Sequence, residues 1–368
     1  MPPLIVAIDC QALLGDIQTG LGVYARNLVE ALGNFKEDVR VVELYPAGKK
    51  PLRTTPQRLL WEQVMLPWQI ARSDCDVFHS PALSMPLLGK RKKVATAHDV
   101  IILKHPEMMT GLSRRYFADF IPKTLTKADH IIANSQSTKK DLQRYLKIPE
   151  SKITVVPLGI DKEFLKESDI DLVNTLRRRF QLPDEYLLSV ASFEPRKNHT
   201  NILKGFKDAL PKLPPDIKLA LVGRENAYQL KMKALAESLE IADRISFCGY
   251  LPTKELAALY AGASMLIFPS LEEGFGIPII EAFAKGIPVV TSKIEATQEV
   301  AGVAAQYVNP QRYEEIGFAI AEIYNDSELR QNLVELGNAR VADFSWESHA
   351  HEAIRIYYKV LGRTEGLK

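Results

Sequence analysis

The sequence predicts an α/β protein built from two doubly wound parallel sheets, each with helices on both faces. Short apolar strand patterns alternate with helical patterns along the chain, which is typical of parallel sheets. A polar, irregular stretch at 161–171 interrupts this alternation before it starts again. The length of 368 residues exceeds one ordinary core and suits two domains. Because open parallel sheets bind ligands beyond the carboxyl ends of their strands, we expect a site in the cleft between the domains.

The first domain is predicted to span residues 1–165. Its expected strands are Leu4–Asp9, Val39–Leu44, Val77–His79, Val94–His98, Ile131–Ala133 and Ile153–Pro157, and its expected helices are Val23–Leu32, Arg58–Ala71, Leu112–Lys127 and Ser137–Leu146. Helix 58–71 is amphipathic, and its tryptophans are expected in the core rather than as membrane anchors, with an acceptor-facing role as the alternative. Its apolar residues are Leu59, Leu60, Val64, Met65, Trp68 and Ile70.

The second domain is predicted to span 166–345, with the linker at 161–171. Its expected strands are Tyr186–Ala191, Lys218–Val222, Ile245–Cys248, Met265–Phe268 and Val289–Thr291. After Tyr313 the pattern is helical, and a final helix is predicted over Trp346–Leu361 within a third segment, 346–368.

Composition excludes several classes of protein. A net charge of +2 argues against a dedicated nucleic-acid binder. The basic runs Lys90–Lys93 and Arg177–Arg179 are interpreted as solvated surface, with peripheral contact to an anionic membrane as the alternative. The three cysteines are too far apart for a disulfide framework or a zinc site and fit a reducing cytosol. We recognise no signal peptide, and no apolar run approaches the ~20 residues of a membrane span.

The most informative stretch is 269–286, where a strand gives way to a helix. Gly274 and Gly276 permit backbone conformations that other residues resist, and Pro278 suits a first helical turn. Such a turn directs backbone N–H groups and the helix N-terminus at Ile277 towards an anion. Glu273 and Glu281 frame it, and each carboxylate can accept from two hydroxyls. A nucleotide sugar carries both an anionic diphosphate and vicinal hydroxyls, so it suits this stretch. The alternative is that the stretch only connects a strand to a helix.

Other candidate residues also follow strands. Arg196 and Lys197 come after one strand, where they can clamp a diphosphate, although a basic surface loop is the alternative. Gly223 permits close approach of a ligand, and the backbone of Tyr250 and Leu251 can contact a base.

The first domain offers three more candidate groups. Gly20 and Gly22 form a glycine turn before a helix that we place from Val23. His98 and Asp99 end a strand and either cap it or touch a sugar, while the Asn134–Ser135 pair can cap the next helix.

Four motifs together resemble glycosyltransferase family 4, whose members are retaining enzymes with the two-Rossmann GT-B fold. The motifs are TGLGVYARNL (19–28), VVPLGID (155–161), EPRKN (194–198) and FPSLEEGFGIPIIEA (268–282). The resemblance covers nearly the whole chain. It implies an acceptor-binding first domain, a donor-binding second domain and a final helix that crosses back to the first.

The resemblance also implies roles for individual residues. It assigns the donor diphosphate to Arg196 and Lys197 and the ribose hydroxyls to Glu281. It places the donor sugar beside Glu273, the loop Gly274–Phe275–Gly276 and His98, and the phosphate beside the loop of Gly20 and Gly22. The chain departs from the family at Ala191–Ser192, at His199 and in the loop 294–299.

Two D-x-D strings invite a metal interpretation. Asp74–Asp76 precedes a strand and Asp169–Asp171 lies in the linker, so neither belongs to the donor site. We therefore predict no metal ligands and no cofactor, with Arg196, Lys197 and the helix N-terminus offsetting the charge of the leaving group.

The expected activity is retaining transfer of a hexosyl group from a nucleoside diphosphate sugar. The segment His98–Ile101 followed by His105–Glu107 resembles family members that use GDP-mannose, while a UDP-sugar stays open. The acceptor is a glycan, a lipid-linked oligosaccharide or a small molecule. A nucleotide-sugar epimerase of the same architecture and a non-catalytic sugar-binding protein are the alternatives. A nicotinamide dehydrogenase is disfavoured, because no G-x-G-x-x-G follows a strand.

Overall fold

The computed structural model describes residues 2–15, 20–105 and 111–363, apart from the side chain of Leu112. The chain forms two compact units. Unit 1 comprises Met1–Gly159 and Ser345–Lys368, and unit 2 comprises Ile160–Phe344. The structure thus divides the chain after residues 159 and 344, where the sequence placed the divisions after 165 and 345.

Unit 1 contains a six-stranded, fully parallel sheet in the order β2-β1-β3-β4-β5-β6. Its strands are β1 (Leu4–Asp9), β2 (Val39–Leu44), β3 (Val77–Ser80), β4 (Lys92–Ala97), β5 (His130–Ala133) and β6 (Ile153–Val155). In the register, Val6 lies opposite both Val41 and Val77. Strand β1 is a nearly continuous apolar run, as expected for a strand of a parallel sheet that is covered on both faces.

The helices of unit 1 include two π-helical segments that the sequence does not reveal. The helices are α1 (Gly20–Leu32), α2 (Thr55–Leu60), α3 (Leu66–Arg72), α4 (Ile101–Lys104), α5 (Gly111–Arg114), α6 (Ile121–Leu125) and α7 (Gln136–Leu146). Trp61–Met65 joins α2 to α3 in π geometry, and Arg115–Phe120 joins α5 to α6 in the same way. The predicted helix 58–71 therefore lies within a longer helical stretch, 55–72.

Two predictions for unit 1 are wrong. Gly20 and Gly22 do not form a turn before the helix, because α1 already begins at Gly20. A Cβ on Gly20 would meet open space, so packing does not demand a glycine there. The predicted core face of helix 58–71 is also only partly correct. Trp61 is buried, but Leu60, Val64 and Trp68 are more than half exposed. Thr19 and residues 106–110 lie outside the described residues.

Unit 2 contains a second parallel sheet in the order β12-β11-β10-β7-β8-β9. Its strands are β7 (Tyr186–Val190), β8 (Lys218–Val222), β9 (Ile245–Gly249), β10 (Met265–Phe268), β11 (Val289–Ser292) and β12 (Gln306–Val308). The sequence analysis missed β12, which has three residues and pairs only with β11. The order makes β7 and β10 neighbours, so the loops that follow these two strands meet at one edge of the sheet.

The helices of unit 2 extend into the stretch predicted as an irregular linker. They are α8 (Lys162–Leu165), α9 (Ile170–Arg179), α10 (His199–Ala209), α11 (Ala227–Ser238), α12 (Thr253–Ala261), α13 (Ile277–Ala284), α14 (Glu295–Ala301), α15 (Tyr313–Asn325) and α16 (Ser327–Val341). Asp161 and Asp169 cap α8 and α9 by accepting from backbone N–H groups, so two helices begin within the predicted linker. The last helix, α17 (Trp346–Val360), belongs to unit 1.

Candidate active site

The loops after β7 and β10 are locked together by hydrogen bonds. The Leu271 N–H donates to the Arg196 carbonyl over 2.8 Å. Asn198 is buried in the left-handed conformation, with φ of 63°. Its amide donates to the carbonyls of Pro269 at 2.9 Å and Pro310 at 2.7 Å. The Asn198 amide thus fixes the loop that carries Arg196 against its neighbour, a role that the sequence analysis did not assign.

The locked loops bring four charged residues into one cluster, hereafter the charged cluster: Glu194, Arg196, Lys197 and Glu273. The Lys197 ammonium lies 2.5 Å from Glu273 Oε1, and Arg196 Nη1 lies 3.6 Å from Glu273 Oε2. Arg196 Nε donates to Glu194 over 2.8 Å. The structure therefore brings the predicted residues Arg196, Lys197 and Glu273 together.

Burial differs across the charged cluster. The side chains of Glu273 and Lys197 are 8% and 11% exposed, whereas that of Glu194 is 37% exposed. Burial acts to raise the pKa of Glu194, but the Arg196 guanidinium and hydrogen bonds outweigh it, so the pKa is lowered. The Lys197 ammonium also lies over the ring of Phe268, 5.4 Å from its centroid. The cluster combines two cations with two carboxylates, so an anion that enters competes with the carboxylates for the cations.

In the turn into α13, Gly276 has the kind of backbone conformation that a glycine predicts. Gly276 has a φ of 110°, which disfavours any residue with a Cβ. The Ile279 N–H bonds to the Gly276 carbonyl at 3.0 Å, and Pro278 sits in the first turn of α13. Gly274 is also buried. The Phe275 side chain, however, is buried against Phe344 with ring centroids 5.8 Å apart, so only its backbone remains for a ligand.

Glu281 projects from α13 and is bound by Tyr260. The Tyr260 hydroxyl donates to Glu281 Oε2 over 2.8 Å. Burial raises the pKa of Glu281 to about 7, the Tyr260 hydrogen bond lowers it, and the nearby Asp161 carboxylate raises it. The structure thus adds Tyr260 to the candidate site. Its contact with Glu281 spans 21 residues of sequence, and no local signal indicates it.

Three candidates at the other strand ends differ in environment. A Cβ on Gly223 would lie 2.1 Å from the Ala191 carbonyl oxygen, so packing between the ends of β7 and β8 itself requires this glycine. Tyr250 is 38% exposed, whereas Leu251 is buried. Of these three residues, Tyr250 presents the most exposed side chain.

His199, where the chain departs from the family pattern, is buried at the start of α10. Its ring stacks on Phe193 with centroids 4.7 Å apart. Burial, with a smaller contribution from Lys197, lowers the pKa of His199 to about 4, so the ring is neutral and packs like an apolar side chain.

In unit 1, His98 is held from three sides. Its Nε2 donates to the Pro81 carbonyl over 3.0 Å, and its ring meets the edge of Tyr24 with centroids 4.5 Å apart. Its carbonyl accepts from the Asn134 amide at 2.8 Å and the Thr138 hydroxyl at 3.3 Å. Burial lowers the pKa of His98. Asn134 therefore positions His98, while Ser135 caps α7 as expected.

Behind His98 runs a continuous series of hydrogen bonds, hereafter the buried hydrogen-bond network. Its side chains belong to His349, Tyr24, Thr96, His79 and Tyr357, and each is buried. His349 Nδ1 lies 2.8 Å from the Pro157 carbonyl, which can only accept, so Nδ1 carries the proton. Neutral His349 then accepts from the Tyr24 hydroxyl at Nε2 over 3.1 Å.

The proton on His349 Nδ1 determines the positions of the other protons in the network. The Tyr24 oxygen accepts from Thr96 over 2.7 Å, since its own proton points to His349. Thr96 in turn accepts from His79 Nε2 at 2.8 Å, and the Tyr357 hydroxyl donates to His79 Nδ1 at 2.6 Å. Both imidazoles are neutral in this arrangement, because burial lowers the pKa of His79 to about 3 and of His349 to about 4.

The D-x-D strings have structural roles. Asp76 accepts from the Ile5 N–H over 2.9 Å, and Asp169 caps α9 by accepting from the Leu172 N–H over 3.1 Å. Among residues 2–15, 20–105 and 111–363, no group of three or more His, Cys, Asp or Glu side chains is placed to hold a metal ion. The run Arg177–Arg179 ends α9, where Arg177 bonds the Pro183 carbonyl and Arg179 pairs with Glu255.

Two family models match adjacent parts of the chain. The model described as "Glycosyltransferase Family 4" matches residues 19–164. The model described as "Glycosyl transferases group 1" matches residues 175–340. The first match falls almost wholly in unit 1 and the second wholly in unit 2, so together they cover most of the chain.

Curated relatives include mannosyltransferases. The chain is 28% identical over 313 residues to the O-antigen chain mannosyltransferase B of Escherichia coli, covering 84% of this chain and 81% of that protein. It is 30% identical over 295 residues to the serotype-specific mannosyltransferase WbdA of Escherichia coli. That match covers 78% of this chain but only 36% of the length of WbdA.

Solved structures show the same fold at low sequence identity. Sucrose-phosphate synthase from Thermosynechococcus elongatus superposes with a TM-score of 0.77 at 20% identity, covering 98% of this chain and 99% of that chain. Anabaena HepE, solved in complex with UDP-glucose, gives a TM-score of 0.71 at 18% identity, with 98% and 99% covered. From its two family matches and its GT-B architecture, the chain belongs to the family 4 and group 1 glycosyltransferases.

Proposed function

We propose that the protein transfers a hexosyl group from a nucleoside diphosphate sugar to an acceptor hydroxyl, with retention of anomeric configuration. The observation that carries the proposal is the charged cluster, in which Arg196 and Lys197 meet Glu273 where β7 and β10 end side by side. Cations next to a helix N-terminus suit a leaving group that gains negative charge as its bond to the sugar breaks.

The charged cluster supports binding by exchange of partners. A diphosphate competes with Glu273 for the Lys197 ammonium and with Glu194 for the Arg196 guanidinium. Arg196 offers a planar fork and Lys197 a compact charge, which together match a diphosphate. Glu273, once released from Lys197, is free to accept from hydroxyls of the donor sugar.

Glu281 is proposed to hold the ribose of the donor. Its carboxylate can accept from two vicinal hydroxyls, and Tyr260 fixes one of its oxygens from the other side. Because burial raises the pKa of Glu281 to about 7, donor binding also draws the carboxyl into its ionised form. Gly276 and the N-terminus of α13 are proposed to lie beside the diphosphate, and Gly223, Tyr250 and Leu251 beside the base.

In the proposed reaction the acceptor hydroxyl attacks the anomeric carbon from the face that the diphosphate leaves. The new glycosidic bond forms as the sugar–phosphate bond breaks, and an oxygen of the leaving phosphate takes the acceptor proton. No protein nucleophile or base is needed, and the cations of the charged cluster replace a divalent metal. His98 is proposed to contact the transferred sugar, and Gly20 and Gly22 to lie near the phosphate.

GDP-mannose is the favoured donor. Its support is that several relatives are named mannosyltransferases, together with the His98–Ile101 segment. UDP-sugars are the second choice. The acceptor is proposed to be a glycan bound by unit 1, because the mannosyltransferase B relative is named for O-antigen chains.

A donor screen tests the proposal. Thermal unfolding and hydrolysis are measured with GDP-mannose, UDP-glucose and ADP-glucose, each with and without EDTA. We expect GDP-mannose to protect the protein most, EDTA to leave transfer unchanged, and proton NMR to show that product and donor share one anomeric configuration. Sugar conversion without an acceptor would instead indicate an epimerase, and binding without turnover on any glycan would indicate a sugar-binding protein.

A further inference from the structure

Tyr260 is a buried residue of unit 2 whose hydroxyl meets a carboxylate of the candidate site. It lies on α12 with its side chain fully buried, and it donates to Glu281 Oε2 over 2.8 Å. Glu281 itself is only partly buried, so a ligand can reach its carboxylate while Tyr260 stays behind it. Tyr260 can therefore act on a ligand through Glu281 and not by direct contact.

The packing around Tyr260 holds it in one place. Its ring meets the ring of Phe164 edge to face, with centroids 5.5 Å apart. One residue earlier, the Leu259 carbonyl accepts from the buried Tyr186 hydroxyl over 2.6 Å. A Cβ on Gly262 would lie 2.7 Å from the same hydroxyl, so the glycine leaves room for this hydrogen bond. These contacts fix the end of α12 that carries Tyr260.

The hydrogen bond from Tyr260 also affects the charge of Glu281. Burial raises the pKa of Glu281 to about 7, and the Tyr260 hydrogen bond lowers it, because a hydroxyl that donates to a carboxylate stabilises the ionised form. Burial raises the pKa of Tyr260 well above its usual value, so its hydroxyl keeps the proton that it donates. Near neutral pH, the charge of Glu281 thus depends on Tyr260.

Other charged groups near Glu281 come from neighbouring elements. The Asp161 carboxylate, which caps α8, repels Glu281 and raises its pKa. Lys285 follows one turn along α13, and its ammonium donates to the Lys166 carbonyl over 2.7 Å. Strands β10 and β11 carry no ionisable side chain, and the buried residues of α14 and α16 are uncharged. Tyr260 and Asp161 therefore act on the charge of Glu281 in opposite directions.

We propose that Tyr260 is a positioning residue for the donor, whose hydroxyl holds the Glu281 carboxylate in place and in the ionised form that accepts from both ribose hydroxyls. The role of Tyr260 rests on the proposed role of Glu281 and adds the residue that prepares it. A protonated carboxyl uses one oxygen as a donor, so it cannot accept from both hydroxyls in the same way. Because the ribose contact is the same before and during transfer, Tyr260 should govern the KM for the donor and not kcat.

Calorimetric titration of the Tyr260→Phe variant with GDP, and in parallel with UDP, tests the proposal. Phenylalanine keeps the ring against Phe164 but removes the donor. We expect the Kd of the variant to exceed that of the wild type by about tenfold at about pH 6, and by only about twofold at about pH 8.5, where Glu281 is ionised in both proteins. The KM for the donor should rise in parallel, with kcat within about twofold of the wild type.

Three comparisons separate this role from a general effect on the fold. The loss should disappear for the 2′,3′-dideoxy diphosphates, which lack both hydroxyls that Glu281 is proposed to bind. It should lose its dependence on pH in the Glu281→Gln background, because an amide does not titrate. Tyr186→Phe is the matched control, since it removes a buried hydroxyl that donates to α12 one residue from Tyr260. This control should bind GDP like the wild type at every pH.

A second variant shifts the charge of Glu281 without touching Tyr260. Asp161→Asn keeps a good N-cap for α8 but removes the charge that repels Glu281. We expect it to bind GDP about twofold more tightly than the wild type at about pH 6 and equally at about pH 8.5. The double variant Tyr260→Phe, Asp161→Asn should regain part of the lost affinity at about pH 6, a rescue that a purely structural defect would not show. Near-ultraviolet circular dichroism confirms folding; should Tyr260→Phe not fold, Asp161→Asn alone decides whether the charge of Glu281 limits binding.

The outcomes distinguish a failure of this inference from a failure of the proposed function. If Glu281→Gln binds GDP like the wild type, the proposed ribose contact is wrong, and the role of Tyr260 falls with it. If Glu281→Gln weakens binding but Tyr260→Phe does not, the role of Tyr260 alone is wrong. The same holds if the loss in Tyr260→Phe is equal at every pH and for the dideoxy diphosphates, because Tyr260 would then support only the fold.

Discussion

The charged cluster of unit 2 and the buried hydrogen-bond network of unit 1 hold polar side chains in opposite ways. The cluster contains four ionised groups in a partly exposed setting, and its cations have more than one anionic neighbour. The network contains hydroxyls and imidazoles that are fully buried, and with both imidazoles neutral one arrangement of protons satisfies every bond. The charged cluster can therefore give up a contact to a bound anion, whereas the buried hydrogen-bond network has no other partners to take up.

This difference explains where each kind of construction occurs. The more exposed pair, Arg196 with Glu194, contributes little to stability, so its loss to a ligand costs little. Lys197 and Glu273 are nearly buried, so an anion that takes Lys197 from Glu273 must replace the lost charge contact. A buried polar group without a partner is expensive, so the network fixes Tyr24 and, through the ring of Tyr24, the orientation of His98. Substitutions on the donor side are therefore predicted to lower activity more than stability. Substitutions in the network are predicted to lower stability first.

The largest effect is expected from the charged cluster. Arg196→Ala and Lys197→Ala each remove a charge-assisted contact to the leaving group, so we expect transfer to fall by about tenfold to a thousandfold. Circular dichroism should show an unchanged fold. Lys207→Ala, an exposed lysine on α10, is the matched control. Wild-type turnover in both cluster variants would remove the charged cluster from the reaction.

The next effect concerns Glu281, the carboxylate that the structure ties to Tyr260. Glu281→Gln keeps the size of the side chain but offers one acceptor oxygen, so donor affinity should weaken by about 1.5 to 3 kcal/mol. Calorimetric titration with the nucleoside diphosphate and with its 2′,3′-dideoxy analogue completes a double cycle. The loss should shrink for the analogue. Equal losses for both ligands would mean that Glu281 acts only through the fold.

The sequence predicted those parts of the fold that depend on local pattern. Strands such as Lys218–Val222 were placed at their observed bounds, because a buried run between turn residues has few alternatives. The two helices that begin in the predicted linker have a sequence signal, because Asp161 and Asp169 are good N-cap residues. The three-residue strand Gln306–Val308 is defined by its pairing with β11 and has too little pattern of its own.

In the candidate site, the sequence predicted the residues that belong to recognisable motifs and not those brought in by tertiary packing. Arg196, Lys197 and Glu273 were named from sequence, and the structure brings them together. The contact of Tyr260 with Glu281 depends on tertiary packing. The prediction that Trp68 lies in the core is wrong. The apolar pattern of an amphipathic helix does not distinguish a residue that faces the core from one that is exposed on the surface.

A third prediction tests the network by removing one hydroxyl. Tyr24→Phe leaves the His349 Nε2 without a donor and Thr96 without an acceptor, so the free energy of unfolding of unit 1 should fall by about 1 to 3 kcal/mol. All three tryptophans lie in unit 1, so tryptophan fluorescence during urea unfolding reports on this unit. Tyr145→Phe, at an exposed tyrosine, should change nothing. Donor affinity should be unaffected, and a stable Tyr24→Phe variant would show that the network does not hold unit 1.

The smallest effect is a dependence on pH that separates the two regions by sign. Burial lowers the pKa of His349 to about 4, whereas the unfolded chain titrates near 6.5, so folded unit 1 binds fewer protons. Stability from this group is therefore complete above the unfolded pKa and is lost as the pH falls below about 6.5, at up to about 1.4 kcal/mol per pH unit. Glu281 has the opposite effect, because its pKa in the folded protein is raised to about 7. The stability that it gives is complete below the pKa of the unfolded chain and is lost as the pH rises through about 7.

His349→Gln isolates the first of these contributions. Glutamine carries a donor for the Pro157 carbonyl and an acceptor for Tyr24 but has no proton to titrate. Burial also raises the pKa of Asp9 to about 7 and that of Glu62, which gives unit 1 an opposing pH dependence that both proteins share. The difference between wild type and variant removes this shared part. Between about pH 7 and pH 5.5 the wild type should lose about 1 kcal/mol relative to the variant, measured by tryptophan fluorescence in urea. A difference that stays constant across this range would mean that His349 already carries a proton in the folded protein, and the single proton arrangement of the network would be wrong.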